Sequence, residues 1–242
     1  MPDEFEIRRA VPLPAPPDVV WRAIATGPGL AGWFMDMAPD PDDATVVAWE
    51  PGRRLAIELP PGEDGSSQAF EYLIEARAGG TAVLRFVHSG FLGDDWGDEF
   101  EAMTGAGWDM YLATLAAYLT HFPDRPARYA EAEGPAASAT AAAWPRLLAA
   151  LDLRAAPSVG SAVRVDVPGL GAVEGVVDYA TSSFLGLRTA DALVRFHGRW
   201  AIGMVVAVGH HATDPGFDPA AATAAWTGWL GSVLAGDGTA AP

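Results

Sequence analysis

The chain carries one layout twice, and that repetition limits its fold more than any other feature. In the first copy a Trp-bearing segment, Val19-Val20-Trp21, precedes a Gly32-Trp33-Phe34 turn and a run of strand-like segments. A strand ending in Val87-His88-Ser89-Gly90-Phe91 and a long helical stretch through Gly107-Trp108 complete it. The second copy runs from Ala142-Ala143-Trp144 through further strands to Val208-Gly209-His210-His211, then closes on Thr227-Gly228-Trp229-Leu230. From helix Trp to final Gly-Trp is 87 residues in the first copy (21 to 108) and 85 in the second (144 to 229). A period of that length is a whole small domain rather than a solenoid unit, and a chain of 242 residues holds two. The expected organisation is therefore a first domain over 1–125, a smaller, degenerate second domain over 126–236 and a flexible tail over 237–242. Pro123-Asp124-Arg125-Pro126 marks the boundary, and no Gly-Trp-Phe turn exists beyond it.

Local patterning gives each copy the same element order. Phe5 to Val11 alternates as a strand until the Pro-rich step Pro12 to Pro17, and Asp18 opens or caps a short helix carrying Val19, Val20, Ala23 and Ile24. Gly27-Pro28-Gly29 breaks it, and Leu30 to Phe34 reads as one further turn. Strands are predicted at Thr45–Trp49, Arg54–Leu59, Gln68–Glu75 and Thr81–His88, separated by Gly/Pro turns. Their spacing suits an antiparallel meander. From Asp98 to Phe122, apolar residues recur at intervals of three and four, which predicts a helix of some six turns. In the second copy, Ala127 to Glu133 reads as a first strand, and Gly134 to Ala143 as either a linker or the start of the helix Trp144–Leu153. Strands are predicted at Ala162–Val167, Ala172–Tyr179, Phe184–Arg188, Ala192–His197 and Trp200–His210, and a last helix over roughly Pro219–Leu234.

Composition removes several function classes. There is no cysteine, hence no disulfide, no thiolate nucleophile and no Cys-type metal site. All fifteen basic residues are Arg, so no Schiff-base lysine exists. The formal charge of −16 repels phosphate backbones, so neither nucleic acid nor an anionic membrane is an expected partner. No apolar run reaches the length of a membrane span, and the acidic start Met1-Pro2-Asp3-Glu4 sets an expectation against a secretory signal, hence of a cytoplasmic location. Nucleophile-elbow, phosphate-loop and dinucleotide fingerprints are missing, and Gly169-Leu170-Gly171 is more simply a turn.

Strand, helix, short helix, antiparallel strands and a long C-terminal helix make an α+β helix-grip, a curved antiparallel sheet around one helix, here in tandem with the second copy degenerate. On Pro17-x-x-Val20-Trp21-x-x-Ile24, Gly32-Trp33-Phe34, Gly80-Thr81-x-Val83-x-Arg85, His88-Ser89-Gly90-Phe91 and Gly107-Trp108-x-x-x-Leu112-x-x-Leu115, the first copy resembles the START/polyketide-cyclase-like (SRPBCC) superfamily. Within it, the likeness runs to bacterial homologues of the activator of heat-shock protein 90 ATPase. The match covers 5–122 well and 127–235 weakly. It implies an apolar cavity between sheet and long helix that takes a lipid- or polyketide-like molecule. It does not imply an activity, because such folds host carriers, enzymes and interaction modules alike.

Parity picks out the candidate residues. Ala82, Leu84, Phe86 and His88 share one strand face, as do Ile202, Met204, Val206, Val208 and His210, so each copy ends an inward face on an imidazole. Such a His either meets a ligand, serves as an acid/base, or is satisfied by a carbonyl at the sheet end. The expected ligand-binding set is Trp33, Phe34, Phe70, Tyr72, Phe86, His88, Trp108 and Tyr111, with His88 the one catalytic candidate. Arg85 has the opposite parity. His210-His211-x-x-Asp214 is no metal site, because neighbours on a strand point apart. The acids Asp94, Asp95, Asp98, Glu99 and Glu101 suit a helix N-terminus better than a calcium loop. No metal and no cofactor is expected. Three functions stay open: binding of a hydrophobic small molecule; a protein-interaction, co-chaperone-like or regulatory module, with a protein partner or homodimer; and a cyclase or hydratase.

Overall fold

A computed structural model describes residues 3–92, 99–154 and 156–235. The chain folds as two compact units, Met1–Pro126 and Ala127–Pro242. The acidic run from Asp94 to Asp98 and the tail over 237–242 lie outside the described residues.

The first unit opens with β1 (Asp3–Leu13), α1 (Pro17–Ala25) and α2 (Gly27–Leu30). It continues through β2 (Val46–Glu50), β3 (Arg54–Glu58), β4 (Ser67–Arg77) and β5 (Thr81–Leu92) to the long helix α3 (Glu99–His121). The strands form one antiparallel sheet in the order β1-β5-β4-β3-β2. The first strand thus pairs with the last, and the two helices carry the chain to the far edge. Alternation decides which side is inside: Ala82, Leu84, Phe86 and His88 are buried, while Arg85 faces outward and pairs with Glu75.

Two local readings change. Asp18 does not cap α1; the helix begins on Pro17 with no side-chain cap, and Asp18 pairs one turn on with Arg22. The further turn begins earlier than expected, at Gly27, because Thr26 Oγ1 accepts the Gly29 N–H and Pro28 sits where its missing donor costs nothing. The chain then bends through Gly32, where a Cβ would lie 2.6 Å from the Tyr118 ring. Trp33, fully buried, donates its indole N–H to the Ala23 carbonyl at 2.9 Å and ties this bend to α1.

The second unit repeats the order with β6 (Arg128–Glu133), α4 (Ala143–Ala150), β7 (Ala162–Val167), β8 (Gly171–Ala180), β9 (Phe184–Arg188), β10 (Ala192–His197), β11 (Ala207–Ala212) and α5 (Pro219–Leu234). Its sheet order is β6-β11-β10-β9-β8-β7, again antiparallel. The Ala/Ser stretch before α4 holds one 3₁₀ turn, Ala136–Ser138. The predicted strand Trp200–His210 is broken: Trp200–Ile202 is a 3₁₀ turn, Gly203 takes a left-handed φ of 69°, and pairing starts at Ala207. The parity argument for His210 therefore holds over Val208 and His210 only, and Met204 is exposed. α5 starts on a true cap, with Asp218 accepting from the N–H groups of Ala220 and Ala221. Trp144, Leu147 and Leu148 of α4, with Leu151 at its C-cap, join Trp226, Trp229 and Leu230 of α5 in one core against the sheet. The second copy has lost the Gly-Trp-Phe turn, yet its sheet holds six strands against five. Both units are helix-grips, curved sheets each followed by a long helix.

Candidate functional site

The first unit encloses a cavity of about 260 Å³ between β3, β4 and the helices. Ile24 and Leu30 come from α1 and α2, Leu55 and Ile57 from β3, Phe70 and Tyr72 from β4, and Trp108 from α3. The segment after the Gly-Trp-Phe turn adds Phe34, Met35, Met37 and Pro39, and Leu59 follows β3. Met35, Met37 and Leu59 are 37%, 36% and 42% exposed, high for large apolar side chains, so these three form the mouth. No charged side chain is among the lining residues.

Only two lining side chains carry a polar atom, and one is already used. The Trp108 indole donates to His88 Nδ1 at 3.0 Å. The Tyr72 hydroxyl has no hydrogen-bond partner among the described residues, although the residue is only 5% exposed. Arg188 Nε is the one wholly buried side-chain nitrogen or oxygen left without a partner there, so the Tyr72 oxygen reaches open space. Burial pushes the Tyr72 phenol well above its ordinary pKa, which keeps it a neutral donor.

His88 stands behind this wall. An indole N–H only donates, so Nδ1 must accept and the ring proton sits on Nε2. That Nε2–H donates to Gln68 Oε1 at 3.2 Å. The ring stacks on Phe70 at 4.4 Å and meets the edge of Phe5 at 4.9 Å. Burial pushes its pKa down to about 4, because a charged ring would lose its solvation. Both ring nitrogens are therefore engaged in the resting structure.

Of the eight expected ligand contacts, Phe34, Phe70, Tyr72 and Trp108 line the cavity. Trp33, Phe86, His88 and Tyr111 form the layer behind it: Trp33 stacks on Phe34, Phe86 and His88 pack on Trp108, and Tyr111 meets Phe34 edge-on. Sequence reasoning missed Met35, Met37 and Leu59. Met35 and Met37 sit outside regular elements, where no periodicity assigns a face, and Leu59, expected as the last residue of a strand, follows β3.

The second unit repeats the His–Trp bond. Trp226 donates to His210 Nδ1 at 3.1 Å, so the counterpart of Trp108 is Trp226 rather than the Trp229 that the repeat spacing aligns with it. Burial pushes His210 down to about 4, opposed by nearby Asp191. His211 lies on the other face of β11 from His210, 2% exposed, with its ring 4.9 Å from Tyr129. No cluster of metal-ligating side chains exists among the described residues.

No protein-family model matches this chain, and no curated protein matches it. Solved structures do. A protein from Mesorhizobium loti is 20% identical, at a TM-score of 0.41, over 49% of this chain and 98% of its own. The Aha1 dimer from Colwellia psychrerythraea is 16% identical, at a TM-score of 0.38, over 48% of this chain and 96% of its own. The di-domain ARO/CYC protein BexL is 13% identical, at a TM-score of 0.39, and spans 98% of this chain and 100% of its own. Similarity at this level carries none of their activities to the present chain.

Proposed function

We propose that the first unit binds a neutral, hydrophobic small molecule carrying one oxygen, and does no chemistry on it. The observation that carries this reading is the pairing of an uncharged apolar cavity with a single unused polar group, the Tyr72 hydroxyl. Apolar pockets take their affinity from buried area and their orientation from a few placed polar groups. A carboxylate ligand fits poorly, because no lining residue would balance its charge. An acid/base role for His88 is disfavoured because Trp108 holds its lone pair and Gln68 its proton.

The exposed Met35, Met37 and Leu59 favour one second reading, a protein surface docking on this mouth.

The test is fluorescence titration of the intact chain, since Trp108 lines the cavity, with a sterol, a flavonoid, a fatty alcohol and an aromatic polyketide. Saturable quenching is expected for at least one. Tyr72→Phe should weaken it about 5–10-fold, the value of one hydrogen bond, and Ile57→Trp, which fills the cavity, should abolish it. No saturable response to any compound by a folded sample sinks the ligand reading in favour of the docking one.

A further inference from the structure

The two sheets correspond in register over the three strands at one edge, β1-β5-β4 in the first and β6-β11-β10 in the second. β5 with His88 corresponds to β11 with His210, since each pairs with the first strand of its unit and leads into the last helix. Opposite His88 on β4 stands Phe70, and two residues back stands Gln68. The same positions on β10 hold Val194, opposite His210, and Ala192. On the other flank Ile7 opposite His88 becomes Ala130 opposite His210. The groups that seal the first histidine are thus trimmed to Val and Ala around the second.

Two consequences follow. A cavity of about 360 Å³ opens beside His210, with Ala192 in its wall. The Nε2–H that Gln68 accepts in the first unit has no acceptor among the described residues of the second, where Nδ1 takes the Trp226 proton. His210 is 6% exposed, yet its Nε2 is not among the wholly buried orphaned atoms, so this donor points into the open cavity.

The surrounding groups define what this donor meets. Asp191 and Asp214 line the cavity without an ion-pair partner among the described residues, Asp191 accepting only from Thr189 Oγ1 and Asp214 from the Gly216 N–H. Glu174 also lines it but is paired with Arg164. Phe217 presents an aromatic ring that packs on His210 at 4.7 Å. No arginine is among the lining residues.

We propose that this cavity in the second unit is a separate binding site for a small organic cation, a protonated or quaternary amine that also bears a hydroxyl or carbonyl oxygen. The ammonium sits between the Asp191 and Asp214 carboxylates and against the Phe217 ring, and the oxygen accepts the His210 Nε2–H. The imidazole stays uncharged at neutral pH and does not repel the cation. The first unit cannot hold such a ligand, because its own cavity offers no carboxylate.

The experiment is calorimetric titration of the full chain with glucosamine, tyramine and choline, each against its uncharged analogue: glucose, 4-ethylphenol and 3,3-dimethylbutanol. At least one amine should bind with its analogue at least tenfold weaker. Asp191→Asn with Asp214→Asn, both on exposed side chains, should weaken the amine at least tenfold. Ala192→Gln should abolish binding, because it supplies His210 with the acceptor that the first unit has and fills the space. None of these changes should affect lipophile quenching of the first unit, so the two sites fail or stand separately. The proposal is overturned if no amine binds at millimolar concentration, if the analogues bind equally, or if affinity survives Ala192→Gln.

Discussion

The two halves contain the same buried pair, an indole N–H donated to a histidine Nδ1, and differ in what surrounds it. His88 is closed in by Gln68, Phe70, Phe5 and Ile7; His210 faces Ala192, Val194 and Ala130 across the same ladder positions. The shared pair therefore serves to anchor the last helix to the sheet in both units. The space that opens beside the pair is set by the neighbours: in the first unit it lies on the apolar side of Trp108, and in the second beside the imidazole itself. A repeat can thus keep its structural bond while its pockets diverge, because the bond depends on one residue from each element and the pocket on many.

The anchor is the largest effect to test. Trp226→Ala should cost about 4–5 kcal/mol, since Trp226 is 1% exposed among Phe196, Trp229 and His210, and its loss also orphans Nδ1. Trp108→Ala should cost less, about 3 kcal/mol: it orphans the His88 Nδ1 in the same way, but the space it leaves joins a cavity that is already there. Guanidinium unfolding of both variants measures this; a larger loss for Trp108 would break the idea that the second anchor is the better packed.

Acid comes next. Folded His88 and His210 both titrate near 4 against 6.5 unfolded, so the unfolded chain binds more protons between those values. Their contribution is complete above about pH 6.5 and is lost as pH falls through 4. At pH 5 the loss is on the order of 2 kcal/mol for His210 and less for His88. His197, pushed down to about 3 by burial and then by Arg199 and Arg195, adds to it. Denaturant midpoints at pH 7 and pH 5 give the value, and equal midpoints would contradict neutral, buried rings.

A reciprocal exchange sharpens the comparison further. Gln68→Ala should cost about 1–2 kcal/mol by leaving the His88 Nε2–H without an acceptor, while Ala192→Gln should be neutral or gain up to about 1 kcal/mol by providing one. If both destabilise equally, the two histidines are not equivalent in the way the ladders imply. The smallest effect belongs to the exposed Arg85–Glu75 pair, where Arg85→Ala should leave the unfolding midpoint unchanged.

Particular residues show how far the sequence reached. Helix α5 was legible to its ends because Asp218-Pro219 states its start and apolar spacing its length. Strand β5 was legible on its inward face because alternation is intrinsic to a strand, and it placed Phe86 and His88 inside and Arg85 outside. The strand before His210 was misread from Trp200 to Val206, because an apolar run does not reveal the left-handed turn at Gly203. The Trp229 alignment failed for a related reason. Trp108 lies twenty residues after His88, whereas Trp226 lies sixteen after His210 (108 − 88 and 226 − 210), so equal repeat lengths overshoot the bonded indole of the second unit by about one turn.

By itself, then, the sequence determined the doubled helix-grip, the inward parity of His88 and, over the last residues of its strand, that of His210, since element order and alternation are local. The tertiary structure alone decided that Trp226 partners His210, that Gln68 closes one imidazole while Ala192 leaves the other open, and that the Tyr72 hydroxyl has no partner among the described residues. Those facts rest on cross-strand register and on where each helix starts, and a contact between residues 16 or 20 positions apart leaves no trace in the order of the letters.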